Sequence, residues 1–351
     1  MERPKTDKAN LWMAWPFAGP WRTFPLVKGT HSLIQGIEAA DGQLFVLRVV
    51  PNTAHVLRLN YEAALLEALS NQGLPFLLPV PIKANNGDKV VSFEQEDGTM
   101  ALSALCPFLP GRLIDPDDHT ISITTSAGSA LAMLDRAFTS LPDIQMSTSF
   151  RTLPTFGELT LWHPLVPNPL VIIERLPISY EQKRQIQAFL LEVMESVDDL
   201  YKHLPQQLLH RDYDKGNILM DEEHVTAVLD FEFAGTDIRV LDLCVSISWW
   251  PVTLFGTSQE WEIIDAFGRA YTTSYPLRED ELRAIPAVLR MRDATSLVHR
   301  IGRYFAGQET EIRIQNRIQH SLWREAWLAA HKETLLQYSL QWLNKGEKSN
   351  F

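Results

Sequence analysis

Few cysteines and no long apolar run characterise this sequence of 351 residues. Its two cysteines, Cys106 and Cys244, lie far apart and provide neither a zinc-binding spacing nor a disulfide framework, as is typical of a reducing cytosol. No apolar segment approaches the roughly 20 residues that a membrane-spanning helix requires. The N-terminal residues also lack the apolar stretch of a secretory signal. We therefore expect a cytoplasmic protein without a membrane partner.

A surplus of basic residues is also lacking, because 32 lysines and arginines stand against 43 aspartates and glutamates, a net charge of −11. A protein that neutralises a phosphate backbone normally carries a basic surplus or stripe, so a nucleic-acid partner is not expected. Hydrophobic residues make up 45% and charged residues 21% of the chain, which excludes intrinsic disorder. The composition indicates a folded acidic protein, which we expect to be a monomer or a homodimer.

The chain is predicted to divide into three regions of different composition. Residues 1–24 concentrate aromatic side chains among prolines and glycines, which fits an irregular segment anchored by its aromatics, or a lid or partner arm. Residues 25–106 contain two apolar runs around Asp41-Gly42, a strong hairpin signal, and are predicted to form a small β-rich domain with one helix. Residues 107–351 contain long amphipathic segments that predict a large, mainly helical domain. The predicted fold class is α+β.

Three segments show features of helices. Residues 60–73 are predicted to form a helix that is capped by Asn60, carries an apolar leucine stripe and ends at Gly73. Residues 124–140 and 181–203 also read as helices, and the second repeats its apolar residues with the 3.6-residue period. These helices lie on both sides of the boundary predicted near residue 106.

One segment has polar residues, at the ends of two apolar runs, that core packing does not explain. Residues 218–220 and 225–229 read as the two strands of a hairpin, with Asn217 before the first strand and Asp230 after the second. A short hairpin brings these two ends together, and two oxygen ligands suit Mg²⁺, which borrows phosphate oxygens to complete its shell. Asp212 precedes Asn217 by five residues and is therefore placed to accept a proton from a nearby hydroxyl.

The same residues carry a family resemblance. The runs HRDYDKGNIL and LDFEFAG, followed by Asp242-Leu243, resemble the catalytic loop and metal segment of the aminoglycoside phosphotransferase and choline kinase superfamily of small-molecule kinases. Arg211 stands where that family usually has Gly. The resemblance implies a bilobal, protein-kinase-like α+β fold with Mg²⁺ and ATP in the cleft between its lobes. The layout and helical tail are similar to the homoserine-kinase-like and choline-kinase-like branches.

The resemblance extends more weakly upstream and implies nucleotide contacts there. Arg48, on a predicted strand, occupies the place of the phosphate-contacting Lys, and Glu62 matches the Glu that pairs with it. Gly29 and Ser32 bound a short run that resembles the loop over the nucleotide phosphates. Asp135 stands at the end of a helix where the family usually has His.

Other residues are assigned supporting or acceptor-binding roles. His210 and Asp242 are predicted to brace the catalytic loop. The acceptor site is predicted from an acidic and aromatic set and from two arginines of a later helix: Glu232, Trp249, Trp250, Arg300 and Arg303. The first set favours an amine-bearing acceptor, whereas the arginines would suit the carboxylate of a hydroxy amino acid.

These features predict an ATP-dependent phosphotransferase that acts on a hydroxyl of a small molecule. An amino-alcohol, an amino-sugar such as an aminoglycoside, and a hydroxy amino acid such as homoserine are all open as acceptors. The alternative is a non-catalytic, kinase-like nucleotide-binding or regulatory module, which would be expected to lack a catalytic Asp or metal ligand. A protein kinase is disfavoured because the Asp-Phe-Gly and Ala-Pro-Glu signatures are missing.

Overall fold

The structure, a computed structural model, describes residues 8–17, 19–26, 33–51, 55–95, 97–141 and 153–343. The chain forms two compact units. The N-terminal unit comprises the described parts of 1–113 together with 217–232, and the helical unit comprises those of 114–145, 153–216 and 233–351. The predicted α+β class is confirmed, with an antiparallel sheet in the first unit and long helices in the second.

An antiparallel sheet of five strands, in the order β1-β2-β3-β5-β4, forms the centre of the N-terminal unit. The strand bounds are β1 Arg22–Phe24, β2 Leu33–Glu38, β3 Leu44–Val50, β4 Val91–Glu94 and β5 Met100–Pro107. The predicted hairpin at Asp41-Gly42 is present between β2 and β3. Gly42 adopts a φ of 83°, and the Gln43 N–H donates to Asp41 Oδ1 over 3.0 Å, so both turn residues serve the tight connection.

The described part of the aromatic N-terminal segment packs on this sheet. A 3-10 helix covers Lys8–Ala14, and the side chains of Leu11 and Trp15 join the core that contains Phe45. The Trp15 indole N–H donates to the Ile82 carbonyl over 3.2 Å. Aromatic anchoring is therefore what this segment does in the structure.

Helix α1, Val56–Ser70, begins four residues before the predicted start. Asn60 therefore lies inside the helix, and its predicted capping role is wrong; His55 occupies the N-cap without a side-chain cap bond. The predicted apolar stripe is correct, since Leu65, Leu66 and Leu69 are buried. Burial of this stripe, rather than a capping side chain, accounts for the helix.

A second antiparallel sheet in the N-terminal unit contains the predicted hairpin. Its strands are β6 Arg112–Leu113, β8 Ile218–Asp221 and β9 His224–Val228, in the order β6-β8-β9. Ile218 pairs with Val228. The Leu229 N–H donates to the Asn217 carbonyl over 2.8 Å, so the two ends of the hairpin meet as the sequence predicts.

The helical unit contains the remaining helices and one short ribbon. The helices are α2 Ile121–Thr139, α3 Pro169–Ile172, α4 Tyr180–His203, α5 Leu241–Trp249, α6 Glu260–Ser274, α7 Glu279–Phe305 and α8 Glu311–Gln341. Strands β7 Gln206–Leu209 and β10 Gly235–Ile238 pair antiparallel. A reciprocal capping box between Ser179 and Gln182 starts α4 within one residue of the predicted position. Within the described ranges, no helix is both long and apolar enough to cross a membrane.

Candidate active site

The predicted pair between Arg48 and Glu62 is present in the N-terminal unit. Arg48 lies on β3, the strand between β2 and β5, and Glu62 lies in the buried face of α1. Arg48 Nη1 donates to both carboxylate oxygens of Glu62, over 2.7 and 3.0 Å. This charge-assisted contact from one nitrogen to both oxygens helps to fix the position of the guanidinium.

Glu232 holds the other side of the same guanidinium. Its carboxylate accepts from Arg48 Nη2 over 2.8 Å and lies 3.2 Å from Arg58 Nη2. Glu232 lies in the N-terminal unit beside these two arginines, and its predicted place at the acceptor site stays a prediction. Arg58 was missed by the sequence analysis, although it stands four residues before Glu62 on one helix, a spacing that brings side chains together.

The charges around Arg48 alter two pKa values. Burial alone would lower the Arg48 pKa, but the nearby carboxylates of Glu62, Glu232 and Asp230 more than offset it, so the Arg48 pKa is raised. Burial and the negative charge of Glu232 together raise the pKa of Asp230 to about 7. A cation bound beside Asp230 would therefore stabilise its ionised form.

Asn217 and Asp230 form the end of the hairpin and fit a magnesium ion in their chemistry. An amide and a carboxylate are oxygen donors of the kind Mg²⁺ takes, and the raised Asp230 pKa indicates that added positive charge would be favourable. Among the described residues, no group of three or more His, Cys, Asp or Glu side chains is arranged to hold a metal. A two-ligand set that relies on phosphate oxygens is compatible with that result.

The segment preceding Asp212 is held by a buried carboxylate in the helical unit. Asp242, in the first turn of α5, accepts the His210 N–H over 2.7 Å and the Arg211 N–H over 2.6 Å. The buried His210 ring accepts from the Asp212 N–H over 3.2 Å and meets the Tyr213 ring edge-on. These are the contacts that the predicted bracing roles of His210 and Asp242 require.

Arg211 combines an unusual backbone conformation with a buried side chain that makes three hydrogen bonds. Its φ of 65° lies in the left-handed region that favours Gly, the residue usual in the family at this position. The Arg211 guanidinium is buried and donates to the carbonyls of Phe233 and Pro154 and to Asp237 Oδ2, over 2.6, 2.8 and 3.2 Å. These contacts offset the strain of the backbone.

Asp135 is buried beneath the catalytic loop. Its Oδ2 accepts from the Tyr271 hydroxyl over 2.6 Å. Burial raises the pKa of Asp135 well above its usual value, and the charge of Asp242 raises it further. Burial at the family's His position therefore favours the protonated form of Asp135.

Lys215 is a further residue of the loop that the sequence analysis did not single out. Its Nζ donates to the carbonyls of Pro116 and Asp118, over 2.8 and 2.7 Å, and lies 3.1 Å from His119 Nδ1. Burial lowers the Lys215 pKa to about 8. Lys215 thereby ties the loop to the segment that precedes α2.

The four residues of the helical unit predicted to bind the acceptor lie in different surroundings. Trp250 is fully buried, and its indole N–H donates to Thr124 Oγ1 over 2.9 Å, so the structure gives it a place in the core. Trp249 is only partly buried. Arg300 and Arg303 both donate to Glu309, which already supplies a carboxylate to them.

Two predicted nucleotide contacts fall on residues that the structure does not describe. Gly29 and Ser32 lie between the described ranges 19–26 and 33–51, so their phosphate-binding role stays a prediction.

A sequence profile and several relatives match this chain. The profile of the phosphotransferase enzyme family matches residues 37–285. A homoserine kinase of Polaromonas naphthalenivorans is 28% identical over 142 residues, 40% of this chain and 43% of that protein. A homoserine kinase of Methylobacillus glycogenes is 33% identical over 34% of this chain and 38% of its own length, so this chain spans about two fifths of these two relatives. A homoserine kinase of Phenylobacterium zucineum is 26% identical over 71% of this chain and 70% of its own.

Solved structures share the fold at low identity. An amicoumacin kinase in complex with AMP-PNP and Ca²⁺ superposes with a TM-score of 0.65 at 14% identity, covering 89% of this chain and 91% of that one. An aminoglycoside phosphotransferase of Alicyclobacillus acidocaldarius gives 0.62 at 14% identity, covering 97% and 98%. A microcompartment-associated aminopropanol kinase gives 0.58 at 15% identity, covering 93% and 96%. The predicted kinase-like fold is confirmed.

Proposed function

We propose, from the premise that this chain belongs to the phosphotransferase enzyme family, that it transfers the γ-phosphoryl group of ATP to a hydroxyl of a small molecule. The observation that carries the proposal is the arrangement around Arg48. Two carboxylates hold this guanidinium, and Asp230 acts on it electrostatically within the same unit. A fixed cation beside a desolvated carboxylate suits a triphosphate accompanied by a metal.

The residues of the N-terminal unit would bind and orient the phosphates. Arg48 offers donors to phosphate oxygens, and Glu62 and Glu232 keep its plane fixed. Asn217 and Asp230 would hold Mg²⁺, which when bound neutralises negative charge on the phosphates. The predicted loop from Gly29 to Ser32 would cover them.

Asp212 is proposed as the residue that meets the acceptor hydroxyl. An aspartate at this motif position orients the hydroxyl and accepts its proton as the oxygen attacks phosphorus. The two hydrogen bonds from the loop backbone to Asp242 limit how far Asp212 can move. Positioning of this kind supplies much of the rate enhancement in phosphoryl transfer.

For the acceptor we propose a small hydroxy amino acid. The curated relatives reported above are homoserine kinases, and the longest of these matches spans 250 residues. The aminopropanol kinase shares only the fold, so an amino-alcohol is the second candidate. Both candidates are hydroxylated amines and differ in the carboxylate.

The proposal is tested by an ATP-consumption assay with L-homoserine, 3-amino-1-propanol and an aminoglycoside. Asp212→Asn and Asp230→Asn are each expected to lower kcat by about 10³-fold, in the range lost with a general base or a metal ligand. Asp221→Asn is the matched control, because Asp221 is exposed at the turn of the same hairpin. Its kcat should be unchanged.

Two results would contradict the proposal. Full turnover by a folded Asp230→Asn protein would remove the metal assignment. No turnover of any acceptor, together with no stabilisation by millimolar ATP, would favour the non-catalytic module.

A further inference from the structure

An unbalanced group of arginines lies in the helical unit, outside the residues assigned so far. The arginine cluster consists of Arg292 on α7 and Arg317 and Arg324 on α8, gathered around one carboxylate, Asp293. Arg292 Nη1, Arg324 Nε and Arg317 Nη2 lie 2.9, 3.2 and 3.8 Å from the Asp293 oxygens. Three guanidinium groups therefore share one carboxylate.

The charge of the arginine cluster is not neutralised by its other neighbours. Burial and the positive charges of Arg324 and Arg317 together lower the pKa of His320 to about 4, so this imidazole is neutral at pH 7. Burial and the neighbouring arginines likewise lower the pKa of Arg317 to about 10. The carboxylate that opposes this effect, by raising the Arg317 pKa, is Asp293. Two positive charges remain in excess.

Surplus charge away from water is costly unless a counter-charge binds. Arg292, Arg324 and Asp293 are all at most 4% exposed, and Arg317 is 11% exposed at its side chain. The buried arginines repel one another, so the cluster does not stabilise the fold by itself. Its charge instead indicates a site for an anionic ligand.

Unused hydrogen-bonding groups point to the same place. Arg317 Nε and Ser321 Oγ are buried and make no hydrogen bond to the rest of the described chain. Ser321 follows Arg317 by four residues and is 2% exposed, so the two side chains lie on one face of α8. A guanidinium donor and a hydroxyl are groups that recognise a carboxylate.

Trp249 forms an aromatic border to the arginine cluster. The Arg292 guanidinium lies 4.7 Å from the centre of the Trp249 ring, and the His320 ring is nearly parallel to that ring, with centroids 6.4 Å apart. Trp249, His320 and Arg317 are the partly exposed members, so the arginine cluster is reached from their side.

Helix α5 connects the arginine cluster with the catalytic loop. Asp242, at its start, binds the backbone of His210 and Arg211, and the Ser248 carbonyl, at its end, accepts from Arg324 Nη2 over 2.9 Å. Six residues of helix rise about 9 Å. A small extended acceptor together with the side chains that bind its two ends can span such a distance.

We propose that the arginine cluster binds the carboxylate of the acceptor, with Arg317 and Ser321 as its donors and Trp249 as its border. This inference rests on the proposed phosphotransferase function and names the part of the acceptor that selects it. The arginine cluster takes the carboxylate-binding role that the sequence predicted for Arg300 and Arg303, because those two arginines already form ion pairs with Glu309.

Binding is tested first, independently of turnover, by thermal shift at constant ionic strength. L-homoserine is expected to raise the Tm of the wild type, whereas 3-amino-1-propanol, which lacks the carboxylate, and sodium sulfate are not. Arg317→Gln should abolish the homoserine shift, and Arg317→Lys, which keeps the charge, should retain part of it. Arg313→Gln is the matched control, since Arg313 lies one turn earlier on α8 with a side chain 73% exposed.

An equal shift with sulfate would overturn the inference, because the arginine cluster would then be a general anion site. An unchanged homoserine shift in Arg317→Gln would overturn it as well. If Arg317→Gln does not fold, Arg317→Lys and Ser321→Ala carry the same test.

Kinetics then separate this inference from the proposed function. In Arg317→Gln the KM for L-homoserine should rise about tenfold or more with little change in kcat, while the KM values for ATP and 3-amino-1-propanol stay within twofold. Equal wild-type kcat/KM values for L-homoserine and 3-amino-1-propanol would contradict the carboxylate site but not the phosphotransferase function. Homoserine binding without any turnover would contradict the proposed phosphotransferase function but not the carboxylate site.

Discussion

At the scale of single residues, the catalytic loop depends on buried polar groups that do not react. Arg211 replaces the family's Gly at a positive φ, and its guanidinium binds three separate acceptors. Gly235 leaves the space for it, since a Cβ there would lie 2.5 Å from Arg211 Nη2. The two residues are therefore coupled.

Replacing Gly235 with Ala should lower the free energy of unfolding by about 1–3 kcal/mol, as overpacking of a buried site does. In the Arg211→Gly background, the same change should cost much less, because the clashing group is gone. A double-mutant cycle by urea denaturation measures this coupling. An unchanged cost of Gly235→Ala in that background would contradict the contact.

Asp135 predicts a pH dependence of stability. Its folded pKa is raised above the unfolded value of 3.8, so the native state keeps a proton that the unfolded chain loses. Its contribution is therefore fully present below that value and is lost as pH rises, by up to about 1.4 kcal/mol per unit. Asp135→Asn stays neutral and removes this loss.

Unfolding free energies at pH 5 and pH 7 measure the effect. The advantage of Asp135→Asn over the wild type should increase between these two values. Asp198→Asn is the control, because Asp198 is exposed on α4. A constant difference between wild type and Asp135→Asn would show that Asp135 is ionised in the native state.

At the scale of elements, strand β3 and helix α1 together fix one guanidinium. Glu62 is buried because the face of α1 that carries it packs inward with Leu65, Leu66 and Leu69. Arg58 lies one turn earlier and reaches Glu232, which follows the second hairpin. The registers of a strand, a helix and a hairpin must therefore agree for the phosphate-binding group to form.

Glu62→Gln should raise the KM for ATP about tenfold and leave the acceptor KM unchanged. Arg48 keeps its bond to Glu232 but loses its charge-assisted contact with Glu62, an interaction typically worth about 1.5–3 kcal/mol. Glu67→Gln, on the same helix and with its side chain 53% exposed beside Lys89, is the control. Equal KM values for ATP in wild type and Glu62→Gln would count against Arg48 as a phosphate ligand.

At the scale of the whole molecule, nucleotide binding should be visible as stability. A ligand that binds only the folded state adds about 2.7 kcal/mol at one hundred times its Kd. ATP should therefore raise the Tm, and Mg²⁺ should increase the shift. In Asp230→Asn the shift with ATP alone should persist, whereas the additional effect of Mg²⁺ should be lost. If Mg²⁺ added the same Tm shift in the wild type and in Asp230→Asn, the metal would have to bind elsewhere.

The sequence by itself determined the family and the fold, because the spacing of Asp212, Asn217 and Asp230 between apolar strands is a local property of the chain. The hairpin and the helical periods followed from the same local rules, whereas the Arg48–Glu62 pair was implied by the family resemblance. The start of α1 did not, because burial of its apolar face decided it.

Only the tertiary structure decided which charges are neutralised. The arginines predicted from sequence to bind a carboxylate, Arg300 and Arg303, meet Glu309, whereas Arg317 and Arg324 share one aspartate with a third arginine. A linear pattern of charges does not show this, since the partners come from different helices and burial sets the strength of each interaction.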